Sequence, residues 1–300
     1  MIGLSGLIMV LTACGQDTEQ KDHIIYTSIY PIQYIVEHIG GDHITAESIY
    51  PPGVDAHSYE PSTREMTQIS RGEAFIYLGA GMESFAETAA DSLNNQDVEL
   101  IEIATLDESL FSADNHSDEE HGDHDYGDKD PHIWFDPIKM IQMGELIKEE
   151  LAKIFPDEKD TFESNFESFA SAMDNLDDEY SQVLEAKDNK KILVAHAAYG
   201  YLEERYGLEQ IAISGLTTND EPSQKDLTQI VKMAQEYDLN YVMFEQTGTD
   251  RVSDIIREQI HAEPLYLHNL ESLTEEDIEN GDDYVSLMLK NLDAFNQATY

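Results

Sequence analysis

The chain has 300 residues, 41% of them hydrophobic, with 17 Lys and Arg against 62 Asp and Glu, a formal charge of −45 at pH 7. This much apolar material excludes global disorder, and the length fits two ordinary domains or one large one. The charge excludes nucleic acid as a partner, because phosphate recognition needs clustered basic residues. It suits solvation in a salty medium, or a protein that handles cations.

Met1 to Leu11 is apolar and leads into Leu11-Thr12-Ala13-Cys14-Gly15. The run is too short to span a bilayer and has the length of a signal-peptide core, so residues 1–13 are expected to be a leader. Leu-Thr-Ala-Cys resembles the lipobox of bacterial lipoproteins, which implies acylation of Cys14 and a membrane-tethered segment over 14–23. Cys14 is the only cysteine, so neither a disulfide nor a thiolate metal site is available.

From Ile24 the chain alternates. Strands are predicted over 24–29, 44–49, 74–78 and 98–103, with helices over 32–39, from Ser62 or Thr63 to Arg71, and over 83–93. This is the signature of a parallel sheet covered by helices. Gly79-Ala80-Gly81 lacks the third glycine or the lysine of a nucleotide loop. The stretch 114–130, nearly all His, Asp, Glu, Gly and Ser, then runs into Asp130-Pro131-His132-Ile133-Trp134-Phe135-Asp136-Pro137. Its two prolines restrict the backbone around His132.

An amphipathic helix follows over 138–154, and Pro156 starts another. Phe162, Phe166, Phe169, Met173, Leu176, Tyr180 and Val183 recur at spacings of four and three, one face of a helix of about 30 residues and roughly 45 Å. That is longer than one lobe needs, so residues 156–187 read as a strut joining a first lobe, 24–155, to a second, 188–300. The second lobe repeats the alternation, with strands over 191–195, 209–214, 241–245 and 264–267, and helices over 199–206, 223–237, 249–261 and 282–296. The expected fold is α/β, with two lobes, each a mostly parallel sheet flanked by helices, joined by one long backbone helix. Its ligand site belongs in the crevice at the C-terminal ends of strands.

Three of the eleven histidines stand at such ends: His57, His132 and His196. His116, His121 and His124 lie in the acidic stretch, while His23, His38, His43, His261 and His268 read as solvated or structural. Three converging imidazoles without cysteine suit zinc or a related divalent ion, with a carboxylate as fourth ligand. Glu245 and Glu271 both follow second-lobe strands, and topology does not separate them from each other or from a water ligand. Asp55, Asp130 and Asp136 are placed either to orient the histidines or to cap turns.

Gly53-Val54-Asp55-Ala56-His57-Ser58-Tyr59-Glu60-Pro61, Asp130 to Pro137, and Val194-Ala195-His196-Ala197-Ala198-Tyr199-Gly200-Tyr201 together resemble, in order, the ligand motifs of the ZnuA/AdcA-like lipoproteins. These feed zinc or manganese to ABC importers. The resemblance covers Ile24 to the C-terminus and includes the lipobox, the His-rich loop and the long helix. It implies His57, His132, His196 and Glu271 as metal ligands, with Glu245 a nearby carboxylate that does not ligate. His196 stands where the manganese members carry a carboxylate, so Zn2+ is expected, with Mn2+ the alternative. The resemblance also implies auxiliary capture by His116, His121 and His124, an importer permease as partner, and an extracytoplasmic, lipid-anchored monomer. It brings an adhesin role as a further possibility.

A zinc hydrolase is the competing class. The chain has no His-Glu-x-x-His helix and no carboxylate in an obvious general-base role, so a binding protein rather than an enzyme is expected. Because the chain stops after the predicted 282–296 helix, the additional C-terminal metal-binding domain of some relatives is not expected.

Overall fold

The computed structural model describes residues 23–83, 85–93, 96–112, 129–216, 222–246 and 251–300. The expectations for the leader, Cys14 and the tether up to residue 22, and for His116, His121 and His124, lie outside the described residues.

Among the described residues, eight strands make two four-stranded sheets, ordered β2-β1-β3-β4 and β6-β5-β7-β8. The first holds β1 (Ile24–Thr27), β2 (Thr45–Ser48), β3 (Ala74–Tyr77) and β4 (Glu99–Glu102). The second holds β5 (Lys191–Val194), β6 (Glu209–Ala212), β7 (Tyr241–Glu245) and β8 (Glu263–Leu267). Every pairing is parallel. In each sheet the order reverses beside the first strand, the point at which open α/β sheets bind ligands.

The helices of the first lobe are α1 (Tyr30–Gly40), α2 (Thr63–Ile69), α3 (Ala86–Leu93) and the short α4 (Ile103–Leu106). Ser62 starts α2 with a reciprocal capping box to Glu65. The helix expected from residue 83 begins only at Ala86, because Glu83 has another task. Its carboxylate accepts from Ser28 Oγ at 2.5 Å and from the Leu78 and Gly79 amides at 2.9 Å each. It thereby closes the end of β3, where Gly79, Ala80 and Gly81 all take positive φ.

α5 (Pro137–Ile154) starts at a proline and is capped by Asp136, which accepts from the Ile138 amide. After a 3-10 turn at Pro156–Glu158 comes α6 (Lys159–Glu185), 27 residues and about 40 Å long. It buries Phe162, Phe169, Met173, Leu176, Tyr180 and Leu184 along one face. That face lies against α1 and α5 on one side, and on the other against α7 (Gly200–Tyr206) and α11 (Tyr284–Ala298). One helix thus touches elements of both lobes. α8 (Gln224–Glu236), α9 (Arg251–Ile260) and α10 (Glu275–Asn280) complete the second lobe.

The second sheet divides its side chains strictly. Ile192, Val194 and Met243 join the large core that includes the first lobe and the long helices. Leu193, Val242 and Phe244 face the other way and form a separate small core with Ile230, Val231 and Ile256 of α8 and α9. This is the two-residue alternation of a strand covered on both faces. Among the described residues no helix is long and apolar enough to cross a membrane.

Candidate metal centre

His57 follows β2 on a loop stiffened by Pro51 and Pro52 and turned by Gly53, whose φ is +74°. The His57 amide donates to Asp55 Oδ1 at 2.8 Å, a local side-chain turn that fixes the residue's direction. His132 sits between Pro131 and a 3-10 turn at Ile133–Phe135, whose three side chains are wholly buried. Asp130 Oδ1 takes both the His132 amide at 2.9 Å and Nδ1 at 2.7 Å. The carboxylate holds the Nδ1 proton, so the lone pair of Nε2 faces the cleft. Gly200, at the start of α7, makes room for this aspartate: a Cβ there would stand 2.7 Å from Asp130 Oδ2. Asp130 therefore orients a histidine, Asp55 shapes a turn, and Asp136 caps α5 with Arg205 at 3.4 Å.

His196 lies just beyond β5, where the buried strand delivers it to the cleft. Its Nδ1 meets Glu245 Oε1 in a very short contact, and its Nε2 donates to the Leu216 carbonyl at 3.0 Å. Glu271 is 1% exposed. Its Oε2 accepts from the Ala56 amide at 2.9 Å, and its Oε1 lies 3.7 Å from His57 Nε2.

The histidines converge. One ligating atom from each of His57, His132 and His196 lies within 4.8 Å of the other two. His57 Nε2 and His132 Nε2 are 3.3 Å apart. Tetrahedral zinc with Zn–N bonds of about 2.0–2.1 Å separates its nitrogens by about 3.3–3.4 Å, so this pair already has ligand spacing. His196 has both nitrogens engaged and must release one to ligate. The Leu216 carbonyl is the weaker hold, which leaves Nδ1 with Glu245 and frees Nε2.

Electrostatics divides the groups. Burial, with repulsion from His132 and His196, lowers His57 to about 3. Burial also takes His132 well below the imidazole range. His196 is equally buried, yet the Glu245 carboxylate outweighs desolvation and raises it to about 9. Burial and the charge of Glu245 lift Glu271 to about 8. At neutral pH the cluster therefore holds two neutral imidazoles, an ion pair and a protonated carboxyl.

The structure gathers His57, His132, His196, Glu245 and Glu271 into one crevice. Sequence reasoning missed Asn269, whose Nδ2 donates to Glu245 Oε2 at 3.3 Å and whose Oδ1 accepts from the Glu271 amide at 3.2 Å. It also missed the Leu216 carbonyl, for which no sequence signal exists. Of the remaining described histidines, His268 is buried, and His23 and His43 sit beside Glu73 and Glu158 at the surface.

Fold and site define a class: a two-lobed α/β protein with a buried histidine cluster able to hold a metal ion in the crevice between its lobes. The chain belongs to the ZnuA family, described as zinc-uptake complex component A, periplasmic, which matches residues 25–298. It is similar to the zinc-binding lipoprotein AdcA of Streptococcus pneumoniae, with 33% identity over 295 residues. That match takes in 97% of this chain but 59% of AdcA, so the chain spans about three fifths of that relative's length. The high-affinity zinc uptake system protein ZnuA of Bacillus subtilis is 28% identical over 98% of this chain and 95% of its own. Among solved structures, the Zn(II)-bound ZnuA-like domain of Streptococcus pneumoniae AdcA superposes with a TM-score of 0.75 at 30% identity, covering 93% of this chain and 99% of that domain.

Proposed function

We propose that this chain captures Zn2+ between its two lobes through His57, His132, His196 and Glu271 and delivers it to the permease of an ABC-type importer. It acts outside the cytoplasmic membrane, anchored through lipidated Cys14, and catalyses no reaction. The observation that carries the reading is the His57–His132 pair, two buried Nε2 atoms 3.3 Å apart with His196 and Glu271 beside them. Three nitrogens and one carboxylate suit a borderline-soft ion better than a hard one. The names of the relatives, zinc-binding and zinc-uptake proteins, support the same cargo. Relatives named lipoproteins support the anchor. His116, His121 and His124, just ahead of His132 in sequence, serve as a weak capture segment.

Titration of the purified chain with Zn2+ and Mn2+, with bound metal measured, tests the reading. Wild type is expected to hold one Zn2+ tightly in preference to Mn2+, and His196→Glu to lose much of that preference, because a third nitrogen becomes a hard oxygen. Absence of a tight Zn2+ site in wild type overturns the function, and preference for Mn2+ overturns the cargo. Deletion of residues 114–130 is expected to slow zinc capture without removing the tight site.

A further inference from the structure

We infer that His268 is a positioning residue for Glu271: its imidazole builds the turn that sends the carboxylate back into the cleft. The inference rests on the reading of Glu271 as a metal ligand. The chain leaves β8 at Leu267 and must reverse within four residues. It does so through Leu270, whose φ is +64°. That region is uncommon for any residue but glycine, and leucine has no polar atom to hold itself there. The hold comes from His268, whose Nδ1 accepts from the Leu270 amide at 2.9 Å. This is an i to i+2 side-chain turn of the kind Asn and Asp make.

With Nδ1 as acceptor, the ring proton is on Nε2, which donates to Asp277 Oδ2 at 3.0 Å. Asp277 is fixed in turn by the capping box of α10, accepting from the Thr274 amide at 2.8 Å and from its hydroxyl. Asn291 of α11 grips the His268 backbone on both sides: the His268 amide donates to Asn291 Oδ1 at 2.7 Å, and Asn291 Nδ2 donates to the His268 carbonyl at 2.9 Å. His268, Asp277 and Asn291 are at most 4% exposed. Both ring nitrogens are therefore committed, and His268 ligates nothing. The same turn is met from the first lobe, where Trp134 Nε1 donates to the Asn269 carbonyl and the Tyr30 amide to the Glu271 carbonyl, each at 2.9 Å. The imidazole is thus the inner support of a loop whose outer side is pinned by the opposite lobe.

Asparagine at 268 can supply the acceptor for Leu270, whereas glutamine is one bond too long for that turn but can reach Asp277. Zn2+ affinity by chelator competition, and Co2+ absorption as a report on ligand geometry, are measured for the full chain as wild type, His268→Ala, His268→Asn, His268→Gln, Glu271→Ala and His268→Ala/Glu271→Ala. Loss of an outer partner of a metal ligand costs about 10–100-fold in affinity, so about tenfold is expected for His268→Ala. His268→Asn is expected to stay near wild type and His268→Gln to fall with alanine. In the Glu271→Ala background, His268→Ala should cost nothing further. Equal affinities for wild type and His268→Ala, or an undiminished loss in the Glu271→Ala background, overturn the inference. If His268→Ala does not fold, equal affinities for the Asn and Gln variants overturn it. A Glu271→Ala protein that binds Zn2+ like wild type removes Glu271 from the ligand set, a separate failure that takes this inference with it.

Discussion

The two lobes bring different kinds of group to the same crevice. The first supplies His57 and His132, stripped of protons by burial and already at ligand spacing. The second supplies His196 and Glu271, which are as deeply buried yet keep their protons near neutrality. Burial alone leaves an imidazole neutral and a carboxyl protonated, and the rest of the difference traces to Glu245. Its negative charge favours the imidazolium of His196 and disfavours the carboxylate of Glu271. Burial by itself therefore accounts for the neutral imidazoles of the first lobe, and the charge of Glu245 is what overrides it at His196. On the proposed reading, the first lobe offers lone pairs and the second gives up protons when the cation binds.

The sharpest way to break this contrast is to remove a first-lobe nitrogen. His132→Ala is expected to weaken Zn2+ binding by more than about 100-fold, beyond the roughly 10–100-fold typical of outer partners. Equilibrium competition against a chelator of known affinity checks this, and retention of tight binding would take His132 out of the site.

The proton exchange is next in size. His196, at about 9, and Glu271, at about 8, are both protonated at pH 7 and must both give up protons to ligate, so uptake is expected to release about two protons. Affinity should rise steeply from pH 6 to pH 8 and level off near pH 9. Calorimetry in buffers of different ionisation enthalpy counts the protons. Glu245→Gln, by removing the charge that holds the His196 proton, should reduce the count by about one.

The same groups set a trend in stability. A folded pKa raised above the unfolded value gives stability that is full below the unfolded pKa and is lost as pH rises through the folded one. From about pH 7.5 to 9, where the lowered His57 and His132 are neutral in both the folded and the unfolded chain, metal-free protein should therefore lose stability. The zinc-bound form should gain relative to it. Thermal melts with and without Zn2+ at pH 7.5, 8.0 and 8.5 measure both, and a metal-free midpoint that rises with pH would contradict the assignments.

A smaller effect is expected behind the first lobe's own ligand. Asp130→Asn should keep the fold and cost about tenfold in Zn2+ affinity, because the acceptor that orients His132 is weakened. Gly200→Ala should act in the same direction, since the new Cβ would push Asp130 aside.

The smallest effect tests the frame rather than the site. Arg205 makes a two-pronged pair with Asp177 of α6 and lies 3.4 Å from Asp136. Arg205→Ala is expected to cost about 1 kcal/mol of stability in denaturant unfolding, with Zn2+ affinity unchanged. A loss of affinity would mean that the bracing between α6 and the His132 segment reaches the metal.

The strands, the long helix and the histidine positions were legible because each has a local signature. Apolar runs mark β1, β3, β5 and β7, the spacing of four and three marks α6, and prolines frame His132. Boundaries slipped where a side chain served a distant partner, as at Glu83, which left its helix to close the end of β3. The polar helix α10 was missed because it has no apolar stripe, only a capping box at Thr274 and Asp277.

By itself the sequence determined the two α/β lobes, the strut between them, and three histidines at strand ends, because periodicity and residue type are local properties. Glu245 and Glu271 looked alike by topology; the family resemblance set them apart, and the fold gives them different contacts. Glu245 meets an imidazole nitrogen, while Glu271 reaches past the Ala56 amide toward His57. The states of the histidines also waited on the tertiary structure. A pKa is set by burial and by the nearest charge, and both are fixed by residues tens or hundreds of positions away in the chain.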